Sequence, residues 1–189
     1  SRFRFKESLM VDPKRTSTPL NLDTEVILND IDSVFQLEIS TLNDVRGSVG
    51  ESYANAVSLL FGCSGNVVIT GMGKSGLIGQ KIAATMVSTG TPAIFLDPAD
   101  GMHGQVGIVR ERDALLAISK SGSNEELLVI LPYVKKLGVP IISITANPNS
   151  SLAKNSDIVL FTPVKEEARP LNLAPTASTT AALVVGDAL

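Results

Sequence analysis

Apolar positions follow two different rhythms along this chain, and the change falls near Asn66. Before it, Ile27, Ile31, Val34, Phe35, Leu37 and Ile39 recur at mostly three- and four-residue spacing. That spacing predicts a helix over 21 to about 46. Gly47 and Gly50 interrupt it, and Tyr53, Ala56, Val57 and Leu60 line one side of a second helix over 51–61. Beyond Asn66 the apolar residues gather into short continuous runs at 67–70, 93–96, 115–119, 141–145 and 158–161. Between the runs lie helical stretches at about 75–89, 124–137 and 150–155. Strands apolar on both faces and separated by helices predict a parallel sheet covered on both sides. The expected fold is therefore α/β, a doubly wound sandwich of about five strands with an N-terminal helical arm.

The ends read differently. Residues 1–20 are basic, carry Pro, Ser and Thr and have no period, which predicts a flexible tail ahead of a single domain over 21–189. A last helix starts near Ala174-Pro175-Thr176 and still runs apolar at Val184–Leu189 with no closing glycine, so the chain is expected to be truncated at its C-terminus.

Composition narrows the function. The 189 residues carry 16 basic and 19 acidic side chains, a balance that excludes a dense cationic face for nucleic acid. No apolar run approaches a membrane span, and the N-terminus is no signal peptide. The lone Cys63 precludes an internal disulfide and fits a reducing cytoplasm. One histidine and one cysteine give no His/Cys metal site.

The informative stretches are two turns, each at the end of an expected strand. Gly71-Met72-Gly73-Lys74-Ser75-Gly76 follows the run Val67-Val68-Ile69-Thr70. A strand turning through glycines into a helix points unpaired backbone N–H groups at an anion, and Lys74 adds an ammonium. Its spacing fails the P-loop pattern but meets the G-x-G-x-x-G of dinucleotide folds, with Asp97 at the next strand end as a ribose-binding acid at a rather long interval. Asp97-Pro98 can equally open a turn. The second turn, Ser119-Lys120-Ser121-Gly122-Ser123-Asn124, offers the hydroxyls of Ser119, Ser121 and Ser123. Ser123 with Glu126 reads as a capping box opening the next helix, which leaves Glu126 either a box partner or a site carboxylate.

Further candidates lie on the same edge of the expected sheet. His103 sits among glycines after the second strand and suits acid/base work. Glu167 lies in the loop that crosses the strand ends and can serve as a general base when partly desolvated. Pro175 suits the first turn of a helix, and the hydroxyls of Thr176, Ser178, Thr179 and Thr180 follow it as ligand-facing or merely exposed groups.

Together these segments resemble the sugar-isomerase domain of arabinose-5-phosphate isomerases, which supply Kdo for lipopolysaccharide or capsule. The matching stretches are Gly71–Gly76, Ser88-Thr89-Gly90-Thr91-Pro92, His103-Gly104, Ser119–Glu126 and the region from Pro170 to Leu189. The resemblance implies a flavodoxin-like five-stranded domain, a cytoplasmic homo-oligomer (commonly a tetramer) and interconversion of D-ribulose 5-phosphate and D-arabinose 5-phosphate without a cofactor. It places active-site roles on Lys74, His103, Glu126 and Glu167, and phosphate binding on Ser119, Ser121 and the segment of Thr176, Ser178, Thr179 and Thr180; Gly73, Ser75 and Ser123 of the two turns join them as expected substrate-binding residues. This sequence departs from the family pattern at Gln105, where Asp is usual, at Lys120, often Asn, and at Arg169, a Cys. A non-catalytic sugar-phosphate sensor on the same fold and a dinucleotide oxidoreductase remain the alternatives.

Overall fold

A computed structural model describes residues 23–169 and 172–189. The tail expected over 1–20 lies outside these residues. Among the described residues, backbone proximity separates 23–32 from those after Asp32. In the first unit, Asp23 Oδ1 accepts the Glu25 amide at 2.9 Å, opening helix α1, Thr24–Gly47.

In the second unit α1 ends at Gly47 and α2, Glu51–Phe61, follows. Then come β1 (Val67–Gly71), α3 (Lys74–Ser88), β2 (Ala93–Leu96), α4 (Pro98–Met102) and a 3-10 turn at Gln105–Ile108. The chain continues through β3 (Ala114–Ile118), α5 (Glu125–Lys136), β4 (Ile141–Thr145), α6 (Ser151–Lys154), β5 (Ile158–Phe161) and α7 (Ala177–Ala188). All strand pairs are parallel, in the order β2-β1-β3-β4-β5. The expected strands and the helices of more than two turns all form.

The alternation of side chains across the pleat divides the core between the two faces. Val67, Ile69, Leu116 and Ile144 join α3 and α7 side chains such as Ile82 and Val185 on one face. Val68, Leu115 and Ile141 meet Leu127, Ile130 and Val134 of α5 on the other. Both faces of the central strands are dry, which is why those strands read as unbroken apolar runs. Among the described residues no helix is long and apolar enough to cross a membrane.

Three local expectations need correction. The stretch after β2 is helical: Asp97 Oδ1 accepts the Ala99 amide at 2.8 Å and starts α4. α5 begins one residue later than the capping box requires, with Asn124 at its N-cap and no side-chain cap, so Ser123 and Glu126 do not form the box. α7 starts at Ala177 with Thr176 at the N-cap, leaving Pro175 ahead of the helix rather than in its first turn.

Candidate active site

The order β2-β1-β3-β4-β5 reverses direction between β1 and β3. In open parallel sheets a ligand crevice forms outside the carboxyl ends of the strands at such a reversal. The two glycine turns leave β1 and β3, one on each side of it.

The first turn depends on glycine for two separate reasons. Gly73, the N-cap of α3, has φ 56° and ψ −123°, a conformation closed to side-chain-bearing residues. At Gly76 a Cβ would stand 2.5 Å from the Gly71 carbonyl oxygen, so only glycine lets α3 start this close to β1. Lys74 is exposed at the start of α3, with Ser75 half-buried beside it.

In the second turn Ser119 is 2 % exposed. Its hydroxyl donates to Asn124 Oδ1 at 2.5 Å and accepts the Gly122 amide at 3.0 Å, so Ser119 locks the turn from inside. Gly122 has φ 64°, and a Cβ there would collide with Ser150. Ser121 and Ser123 are joined by a 2.9 Å hydroxyl–hydroxyl bond on the outer side of the turn. Glu126, half-buried, lies in the first turn of α5.

The third loop brings in Glu167, whose side chain is 4 % exposed. Lys120 Nζ donates to its Oε1 at 2.6 Å. Its Oε2 accepts the amides of Thr176 at 2.9 Å and Ser178 at 3.2 Å, and the Thr176 hydroxyl at 3.3 Å. Burial alone would raise the carboxyl pKa, but Lys120 and the Ser178 and Thr176 donors outweigh it and bring it down to about 2. Glu167 is thus a fixed anion, supplying the N-terminus of α7 with the negative charge its amides favour. Asn172, at φ 49°, accepts the Glu167 amide on its Oδ1 at 2.5 Å and shapes the loop.

Side-chain caps are present at some helix N-termini and lacking at others, α2 with Gly50 at its N-cap among the latter. α4 and α6 are capped by Asp97 and Ser150. At α3 and α5, the helices flanking the reversal, no side chain caps the first turn among the described residues. At α3 the Ser75 and Gly76 amides turn back to the Met72 carbonyl, at 3.1 and 3.4 Å, so it is the first turn of α5 that offers its amides to an anion. Ser75, Lys120, Thr162 and Ser178 line one crevice of about 10 Å³, space for a single water-sized group, together with Ile118 and Ile144, joining the loops after β1, β3 and β5.

Other candidates are placed elsewhere. His103 is exposed at the C-terminal end of α4, beyond the edge strand β2 and outside the residues lining the cleft. Thr179 Oγ1 donates back to the Thr176 carbonyl at 2.8 Å, and Thr180 Oγ1 donates to Glu38 Oε2 of α1 at 2.9 Å. Asp97, the ribose-binding acid of the dinucleotide alternative, spends its carboxylate as the α4 cap. Sequence reasoning noted Lys120 only as a departure and passed over Asn172. The signals available were a charge inside a hydroxyl-rich turn and an asparagine in a loop, the residue that most tolerates positive φ after glycine.

Comparison with known proteins agrees with the fold. A family model described as SIS domain matches residues 60–189. The chain is 49% identical over 165 residues to the arabinose 5-phosphate isomerase KdsD of Francisella tularensis, across 86% of this chain and 50% of the relative. It is 48% identical over 153 residues to the Pseudomonas aeruginosa protein of the same name, across 81% and 47%. The chain spans about half the length of these curated relatives. An Escherichia coli CFT073 protein solved in complex with arabinose 5-phosphate superposes with a TM-score of 0.85 at 41% identity, covering 88% of this chain and 89% of that one.

Proposed function

The chain belongs to the SIS domain family, and from that premise we propose that it is an aldose–ketose isomerase interconverting D-ribulose 5-phosphate and D-arabinose 5-phosphate. The observation that carries the reading is the convergence of the loops after β1, β3 and β5 on one cleft, with a buried carboxylate bonded to two of its lining residues.

Phosphate is held by the first-turn amides of α5 with the Ser121 and Ser123 hydroxyls and the Lys74 ammonium, and the sugar lies over the crevice that Ser75 and Ser178 line. Ser119, Thr176, Thr179 and Thr180 shape these loops through their internal bonds. The reaction moves one proton between neighbouring carbons through an enediolate. Glu167 removes the proton next to the carbonyl and returns it to the adjacent carbon, and the oxyanion that develops is stabilised by Lys74. Glu126 is the second carboxylate of the site, and His103 assists ring opening or proton movement between oxygens. The isomerisation is redox-neutral within one molecule and draws on no cofactor.

The exposed position of His103 fits a role in a partner's cleft. Phe35 and Ile39 of α1 and Phe61 of α2 are large and solvent-facing, 65%, 58% and 94% exposed, which supports a homo-oligomer, a tetramer as in the family. The protein acts in the cytoplasm, where its phosphorylated substrate is made. A coupled assay of D-ribulose 5-phosphate turnover tests the function. Binding of the sugar phosphate without exchange of its carbon-1 proton would replace the enzyme by a sensor.

A further inference from the structure

Among the described residues, Lys120 is the one cationic side chain bonded to the Glu167 carboxylate, and nothing in the proposed reaction uses it. Its backbone is pinned: the Lys120 carbonyl accepts Thr145 Oγ1 at 3.1 Å and the Ala146 amide at 3.0 Å. Its side chain is not, being 41% exposed on a flexible four-carbon stem while its partner is 4% exposed. A fixed base thus holds an ammonium that stands between the Glu167 carboxylate and a hydroxyl-rich, anion-binding turn of which Lys120 is itself a member.

We propose that Lys120 is a phosphate-binding and positioning residue that leaves Glu167 for the phosphate when ligand enters, so that binding at the turn releases the carboxylate. The inference rests on the reading of the site as a sugar-phosphate site. Coulomb attraction scales with the product of the charges, so a phosphate dianion competes for the ammonium about twice as strongly as a monoanionic carboxylate at equal distance. Glu167 is not orphaned by the exchange, because the Thr176 and Ser178 amides still hold its Oε2. Those bonds keep it in place. What it loses is the neighbouring charge that makes it a poor proton acceptor, which reconciles a carboxylate bonded to Lys120 with work as a base.

Linkage makes the exchange measurable without turnover: whatever phosphate does to the Lys120–Glu167 pair, breaking the pair does to phosphate. Inorganic phosphate is titrated calorimetrically into the unmodified chain and its variants at pH 7. Lys120→Met should weaken binding about 5-fold or more and Lys120→Arg should restore most of it. Glu167→Gln should tighten binding by a similar factor, since a neutral amide frees the ammonium. That gain should vanish in the Lys120→Met background. A gain that persists there reports only the loss of a nearby negative charge and overturns the proposal, as does unchanged affinity in Lys120→Met. If Glu167→Gln does not fold, the two variants of the half-exposed Lys120 decide alone. Absence of ribulose 5-phosphate turnover with the coupling intact defeats the isomerase and spares this inference; turnover without the coupling does the reverse.

Discussion

Glu167 Oε2 lies 2.9 Å from the amide nitrogen of Thr176, so one buried carboxylate closes the N-terminus of α7 while its other oxygen holds Lys120, which lines the crevice. The same group therefore contributes to folding and stands at the chemistry. Its two roles separate by pH and by substitution.

The first consequence is an acid-labile component of stability. The Glu167 pKa is lowered to about 2 from an unfolded value of 4.5. A depressed folded pKa gives stability that is fully present above the unfolded value and lost as pH falls toward the folded one. The affected window is therefore about pH 4.5 down to 2. The contribution is on the order of 2 kcal/mol once the half-exposed Lys120 is discounted for solvent screening. Urea unfolding of the unmodified chain and of Glu167→Gln should show a stability gap at pH 7 that narrows steadily below pH 4.5. A gap independent of pH would assign the effect to packing instead.

Turnover should respond to the same substitution far more strongly. General-base catalysis contributes ~10²–10⁴-fold, so Glu167→Gln should reduce kcat by about that factor. Phosphate binding should survive, because Gly73, Lys74, Ser121 and the first-turn amides of α5 are untouched. Near-normal kcat would take the base role away from Glu167 and leave it as the anion of α7.

The second glycine turn carries a steric prediction. Gly122 combines φ 64° with a Cβ position already occupied by Ser150. Gly122→Ala therefore meets both backbone strain and a collision, and should cost ~2 kcal/mol or more in thermal or chemical unfolding. Gly73→Ala meets nothing within 4 Å, so its penalty comes from the backbone alone. Ser150→Gly removes both atoms of that collision, so Gly122→Ala should cost less in the Ser150→Gly background than in the unmodified chain, and an equal cost in both would place the penalty in the dihedral.

These two turns were legible in the sequence because both signals are local. A run such as Val67–Thr70 that is dry on both faces must be apolar at nearly every position, and a strand that turns into a helix within a few residues must use glycine. α4 was not legible: Pro98–Met102 is too short to show a period, and its cap, Asp97, has the same composition as a turn. The position of the α5 cap was misread because Ser123, Asn124 and Glu126 satisfy two registers. The Lys120–Glu167 pair spans 47 residues, and nothing in either segment specifies the other. The hydroxyl cluster after Pro175 was recognisable as chemistry, but composition cannot say which hydroxyl faces a ligand and which faces a neighbouring helix.

That last ambiguity has a direct test, because the structure divides hydroxyls that look equivalent in sequence. Thr180 Oγ1 donates to Glu38 Oε2 at 2.9 Å, joining α7 to α1, whereas Ser121 is exposed on the turn between β3 and α5. Thr180→Val keeps the volume and removes the donor. It should destabilise the fold by about 1–2 kcal/mol, as expected for a bond to a charged acceptor in a partly buried place, and leave phosphate affinity within about 2-fold. Ser121→Ala should do the opposite, leaving stability within about 0.5 kcal/mol as a surface substitution does and weakening phosphate. Chemical unfolding and phosphate titration on both variants separate the two roles. If Thr180→Val were the one to lose phosphate, the bond to Glu38 would have to break when ligand binds, and the ligand site would extend over α7 toward α1.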